Sequence, residues 1–193
     1  MHGSVKKITV VALLGAAAAI LMLFEFPIPF LIPSFVKMDF SELPALLGAF
    51  AYGPIAGAAV CLIKNLVNLP FSNSGGVGEL CNFLLGCAMV VPAGLIYRKK
   101  RTRKGALIGS AIGVLAMGVI SFPLNLYVTY PIYSRFLPIE KILEMYRALL
   151  SFVETLPQCL LLFNLPFTIL KGILATVLAF LVYKPLSRFF KES

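Results

Sequence analysis

No tryptophan occurs in this chain, and its one histidine is His2, at the N-terminal tip. Any aromatic belt at a membrane surface must therefore come from phenylalanine and tyrosine. The chain has no HExxH motif, no Gly-x-Ser-x-Gly motif and no aspartate pair within its apolar segments, so no enzyme constellation is present. It also lacks a phosphate-cradling glycine-rich loop ending in Lys-Ser/Thr. If the protein drives uphill transport, nucleotide energy must come from another chain. Cys61, Cys81, Cys87 and Cys159 all lie in apolar segments without CxxC spacing. They read as small core residues rather than metal ligands or disulfides. Charge is scarce as well, at 13% of residues.

What the chain has in abundance is apolar surface. Of its 193 residues 60% are hydrophobic, and the mean hydropathy is +0.94. A soluble domain of this size could not hide that much apolar area. The fold class is therefore an all-α, polytopic membrane bundle of one domain. The first apolar run has no small-residue cleavage site before a polar region, so it is expected to be a retained helix rather than a signal peptide.

Six spans can be drawn, at about 8–24, 40–52, 54–69, 79–97, 105–130 and 157–183. The second and third fall short of the ~20 residues that a perpendicular helix needs. Lys6 and Lys7 precede the first span. Arg98, Lys99, Lys100, Arg101, Arg103 and Lys104 join the fourth to the fifth, and Lys184, Arg188 and Lys191 follow the sixth. Six spans put these groups on one side. Positive charge marks the cytoplasmic side, so both termini are expected there. The net charge of +9 is then an orientation signal in contact with anionic lipid, not a nucleic-acid surface.

On the other side, residues 25–38 carry Pro27, Pro29 and Pro33 among Phe26, Phe30, Leu31, Ile32 and Phe35. Proline blocks helix here, and the segment is too apolar to float in water. It is expected to fold down as a lid. Residues 138–152 read as an amphipathic helix lying at the outer interface. Residues 71–78 read as a flexible Gly/Ser loop.

Intramembrane polar residues are few: Lys64, Asn65, Asn68, Glu79, Asn82, Asn125, Asn164, Thr168 and Lys171. A charge deep in an apolar helix is costly and faces a cavity or partner. Asn164, Thr168 and Lys171 are spaced by four and three, hence share one helix face. Asn125, Thr168 and Lys171 read as pocket residues, with Glu79 and Asn82 converging at a similar depth. Lys64, Asn65 and Asn68 read as interhelical hydrogen bonds. Glu79 has two readings, a helix-start acid or a counter-ion for Lys171. Ala12, Gly15, Ala16 and Ala19 form a small-residue ridge on the first span, suited to close approach of a helix inside or outside the bundle.

The stretch from Lys37-Met38-Asp39-Phe40-Ser41-Glu42-Leu43-Pro44 to Phe50 is similar to the substrate-binding S components of energy-coupling-factor (ECF) vitamin transporters, in particular their riboflavin-binding branch. So are Tyr52-Gly53-Pro54-Ile55-Ala56-Gly57, Lys64-Asn65, Gly78-Glu79-Leu80-Cys81-Asn82-Phe83 and Pro166-Phe167-Thr168-Ile169-Leu170-Lys171-Gly172. The resemblance runs over nearly the whole chain. It implies a six-helix S-component bundle in the bacterial cell membrane. Riboflavin would be the transported ligand, without a cofactor, bound near the outer face beneath the lid. It also implies a transmembrane coupling protein and two cytoplasmic ATPases as partners, with Ala12 and Ala16 on the docking surface. Family pocket positions fall on Asn125, Thr168 and Lys171. Phe35 and Leu31 are expected to touch the ligand from the lid. The family pattern has asparagine at Thr168, and Asn164, one turn earlier, is placed to compensate. Competing readings are a proton-coupled carrier acting alone through Glu79, an S component for another vitamin, and a membrane enzyme or assembly protein.

Overall fold

A computed structural model of the chain describes residues 2–72, 74–135 and 137–191, with side chains described over 5–72, 74–135 and 137–182. The side chains of Lys184, Arg188 and Lys191, assigned above to the basic side, lie outside the described residues. Helices dominate: α1 (His2–Leu23), α2 (Glu42–Tyr52), α3 (Pro54–Asn68), α4 (Val77–Lys99), α5 (Arg103–Leu124), α6 (Tyr130–Tyr133), α7 (Ile139–Arg147), α8 (Leu156–Cys159) and α9 (Leu165–Lys191). Two short strands, β1 (Phe26–Pro27) and β2 (Lys37–Met38), pair antiparallel and pinch the lid loop at its base.

Five stretches are long and apolar enough to cross a membrane: Val5–Leu23, Pro54–Phe71, Val77–Lys99, Arg103–Tyr133 and Leu156–Val182. They correspond to five of the six expected spans. The remaining one, α2, has 11 residues, or roughly 16 Å at 1.5 Å per residue, about half of a bilayer core. It packs against α1, α3, α4 and α9, which bury Glu42 and the run from Pro44 to Ala49. Its neighbours cover it, so span length is not demanded of it. Gly53, at φ 95°, reverses the chain between α2 and α3, and Pro54 opens α3 at a position where its missing N–H costs nothing.

The tightest helix contact joins α4 and α5. Gly105, Gly109 and Gly113 recur every fourth residue along α5. A Cβ at Gly109 would stand 2.8 Å from the Ala93 carbonyl oxygen, and one at Gly113 only 2.3 Å from that of Met89. Backbone therefore meets backbone, the use of small residues expected where lipid gives no hydrophobic drive to associate. The same use divides the α1 ridge. Gly15 faces Ile63 and is buried with Ala18 and Ala19, whereas Ala12 and Ala16 remain exposed.

Both long helices of the second half widen into a π-turn. Asn125–Thr129 follows α5 and Leu160–Asn164 precedes α9. In each the bond reaches back five residues, Tyr130 N–H to Asn125 O and Leu165 N–H to Leu160 O. Each bond comes immediately before a proline, Pro131 or Pro166. Proline lacks the donor and crowds the carbonyl four residues back, so the preceding turn loosens. Such turns gather at functional sites.

Two hydrophobic cores result. One unites α1–α5 and α9 around Leu46, Val60, Met89 and Met117. The other gathers the lid, α7 and the ends of the later helices around Ile32, Tyr130, Ile142, Tyr146 and Phe163. α7 is amphipathic as expected, and its apolar side, with Ile142 and Tyr146 fully buried, forms part of the roof. The 71–78 loop, expected to be flexible, is tied down. Ser72 Oγ and Ser74 Oγ accept from the N–H groups of Gly76 and Gly78 and donate to Glu79.

Gly113→Leu should separate α4 from α5 and cost about 1–3 kcal/mol or more by overpacking. It should lower the detergent melting temperature markedly, whereas Leu115→Ala, on the exposed face of α5, should leave it nearly unchanged.

Candidate functional site

Between the two cores lies a cavity of about 440 Å³, within the usual size of small-molecule sites. Asn125, Asn164, Thr168, Lys171, Glu79, Asn82 and Phe35 all line it. Six of these come from three different helical stretches that meet at this cavity. Leu31 does not line it. That side chain is exposed, as is Phe30, while Ile32 beside it is fully buried. The lid turns its apolar interior downward through Ile32, Phe35 and Val36, and the adjacent tip residues outward.

The floor is ionic. Lys171 Nζ donates to Asp39 Oδ2 at 2.7 Å and stands 3.6 Å from Glu42 Oε2. Glu42 Oε1 lies 3.0 Å from Lys64 Nζ. Ser41 Oγ accepts from Lys64 at 2.5 Å and donates to Asp39 Oδ1 at 2.5 Å. Two carboxylates thus balance two ammonium groups in a closed cluster, with Lys64 and Glu42 fully buried. Burial by itself would raise the Asp39 carboxyl, but Lys171 and Lys64 beside it outweigh that and hold it at about 2, below the ordinary 3.8. The counter-ion of Lys171 is therefore Asp39, not Glu79. Lys64 binds α3 to α2 through an ion pair rather than through a neutral interhelical hydrogen bond. Asn65 Nδ2 donates back to Cys61 O within its own helix, while Asn68 Nδ2 does bridge helices, reaching Glu79 Oε1 at 3.2 Å.

Glu79 sits in the first turn of α4, where acid is favoured. It accepts from Asn68, Ser72 and Ser74, so its main work is to hold the loop and helix start together. Asn164 is also occupied. Tyr146 Oη donates to Asn164 Oδ1 at 2.5 Å, and Asn164 Nδ2 donates to Tyr130 Oη at 3.0 Å. The Tyr130 and Tyr146 hydroxyls meet at 2.5 Å, closing a three-membered ring. Since Tyr146 spends its proton on Asn164, Tyr130 donates to Tyr146. Phe35 stands edge-on to both tyrosines, with centroids 6.4 and 6.1 Å away, so the lid rests on this ring.

Three cavity amides and hydroxyls are differently placed. Asn82 Oδ1 is buried without a hydrogen-bond partner. The side chains of Asn125 and Thr168 line the cavity without a hydrogen bond among the described residues. A buried polar atom left unpaired costs about 1–3 kcal/mol, and a ligand that pairs it recovers that cost.

The site residues not recognised from sequence are Asp39, Glu42 and the pair Tyr130–Tyr146 as hydrogen-bonding groups. A signal for the first two existed. Two lysines in apolar helices require two buried acids, and Asp39 and Glu42 flank the start of an apolar helix. Among the described residues no cluster of metal-ligating side chains occurs.

A family model for the "ECF transporter, substrate-specific component" matches residues 6–183. The chain is 35% identical over 187 residues to "Riboflavin transporter RibU" of Staphylococcus aureus (strain TCH60), covering 97% of this chain and 93% of that protein. It is 33% identical over 182 residues to "Riboflavin transporter FmnP" of Bacillus subtilis (strain 168), covering 93% and 90%. A solved structure described as "Structure and mechanism of the S component of a bacterial ECF transporter" superposes with a TM-score of 0.77 at 33% identity. The alignment spans 97% of this chain and 99% of that one.

Lys64→Met should leave Glu42 buried with less compensation and cost on the order of 3–5 kcal/mol. Adding Glu42→Gln should restore part of the lost melting temperature; a double variant no better than the single one would contradict the pairing.

Proposed function

The chain belongs to the family of ECF transporter substrate-specific components, and on that premise we propose that it binds riboflavin in the cavity beneath the lid and delivers it across the bacterial cell membrane. Membership makes it a multi-pass transporter subunit and not an enzyme, in keeping with the lack of any catalytic motif. Riboflavin is the ligand that the names of its relatives supply.

The observation that carries this reading is the state of Lys171. Its ammonium has three donors; Asp39 takes one and Glu42 lies near a second. A donor remains for the cavity that Lys171 lines. The cluster behind it is charge-balanced, so it offers a strong hydrogen bond without demanding an anion. An uncharged ligand with a polar carbonyl edge suits that arrangement. Asn82, Asn125 and Thr168 supply further donors and acceptors for the edge and a polyol tail, while Phe35, Tyr130 and Phe167 supply walls for a flat ring. Asn164, committed to the two tyrosines, contributes by fixing the roof more than by touching the ligand.

Orientation follows from charge. Lys6, Lys7 and the basic residues from 98 to 104 lie at the end of the bundle away from the cavity, which argues for cytoplasmic termini and an outward-facing site. The short α2 would complete a six-helix arrangement without reaching both faces. Ala12 and Ala16, exposed on α1, offer a close-packing surface for a membrane coupling protein, whose ATPases would drive reorientation and release inside. The engagement of Glu79 by three hydrogen-bond donors weighs against its service as a mobile proton carrier.

Titration of the purified protein by quenching of flavin fluorescence tests the site. Lys171→Ala should weaken riboflavin binding by about 1.5–3 kcal/mol, the range for a hydrogen bond to a charged group, or roughly ten- to a hundredfold. Asn125→Ala and Asn82→Ala break no side-chain hydrogen bond among the described residues and should each weaken binding with an unchanged melting temperature. Unaltered affinity in all three would remove riboflavin from this cavity. Uptake by vesicles should require ATP and the coupling proteins; uptake by this chain alone that collapses with the proton gradient would defeat the coupling part of the reading.

A further inference from the structure

At the opposite end of the bundle a second concavity of about 420 Å³ opens between the start of α1, the α2–α3 turn and the end of α4. Lys7 lies about 15 residues before Met22, which lines the first cavity, so the two are separated by roughly 22 Å along α1. Its walls are set by tertiary packing. The rings of Phe50 and Tyr97 meet at 4.9 Å. A Cβ at Gly94 would stand 3.0 Å from Pro54 Cα, so α4 presses directly on the turn.

Among the described residues the charge lining this concavity is of one sign. Lys7, Arg98 and Arg101 contribute to it, and none of the described lining residues is acidic. Glu25, Asp39, Glu42 and Glu79 instead line the cavity at the far end. The Lys7, Arg98 and Arg101 side chains are exposed, and no ion pair joins any of them to a carboxylate among the described residues. An orientation signal needs only that cations lie on one side. It does not need them to converge on a walled recess from the start of α1 and the end of α4, far apart in sequence. Basic recesses between membrane helices suit phosphate headgroups, and Arg offers a planar fork matched to phosphate oxygens. The recess opens where the apolar stretches of α1 and α4 end.

We infer that this recess binds the phosphodiester headgroup of an anionic membrane phospholipid, held by Lys7, Arg98 and Arg101. The site is independent of the riboflavin cavity, so flavin binding serves as the check that variants are folded.

The test compares two triple variants of the full chain in detergent. One is Lys7→Ala/Arg98→Ala/Arg101→Ala. The other, Lys99→Ala/Lys100→Ala/Arg103→Ala, removes the same charge from side chains that do not line the recess. Phosphatidylglycerol, phosphatidylcholine or inorganic phosphate is added, and the melting temperature and lipid retention by native mass spectrometry are read. The unaltered chain should be stabilised by phosphatidylglycerol and retain it. Removal of the three recess cations should weaken retention by roughly fivefold per cation, on the order of a hundredfold together, with flavin binding intact. The control triple should keep most of the effect. Equal losses in both triples would mean diffuse surface charge and overturn the site. Equal stabilisation by phosphatidylcholine or by inorganic phosphate would overturn the anionic-lipid assignment.

Discussion

Everything at the cavity end of this protein depends on four charges that have nowhere else to go. Asp39, Glu42, Lys64 and Lys171 come from the loop after the lid, from α2, from α3 and from α9. An isolated charge in an apolar interior is prohibitively costly, so none of the four can be buried without the others. The cluster therefore fixes α2 between its neighbours and the lid base against α9, and orients the Lys171 ammonium at the cavity. Ion pairs of this kind add less to stability than to arrangement. Breaking one is expensive, and that expense is what excludes other packings of a short helix among long ones.

Above this floor the protein uses hydrogen bonds between neutral groups to build a roof. The Asn164–Tyr130–Tyr146 ring joins the π-turn before α9 to α6 and α7, and Phe35 of the lid leans on it. Floor and roof treat the lid differently. At its base β1 and β2 pair, with an ion pair between Lys37 and Glu25. At its centre, among the described residues, apolar contacts hold it, through Ile32, Phe35 and Val36. A lid anchored at the hinge and held by non-directional contacts over the cavity can open without breaking a polar network, a property that a ligand gate requires. The family to which the chain belongs uses its fold to transport small molecules, and this division of labour agrees with that use.

The hydropathy pattern made five long spans legible, because each must satisfy its own backbone in lipid and so must be a continuous apolar helix. Prolines marked the lid, since the loss of an N–H acts locally, whereas the π-turns before Pro131 and Pro166 emerged only in the structure. The polar stripe of Asn164, Thr168 and Lys171 followed from helical spacing and does line the cavity. Leu31 and Ile32 are where sequence reasoning failed. In an irregular loop no periodicity says which of two adjacent apolar side chains points inward. The bonds that Ser72 and Ser74 donate to Glu79 were likewise not legible, because no local pattern pairs a loop serine with a helix-start acid.

The sequence by itself determined that this chain lives in a membrane, where its breaks fall and that its lysines need partners. Only the tertiary structure decided which partners those are. Lys171 and Asp39 are 132 positions apart, and no local rule couples residues at that distance. Periodicity and capping act over a few residues, but the cost of burying a charge is settled by whatever the fold brings within about 4 Å. That choice assigned Glu79 to a loop, Asn164 to a roof and Lys171 to the floor of the cavity.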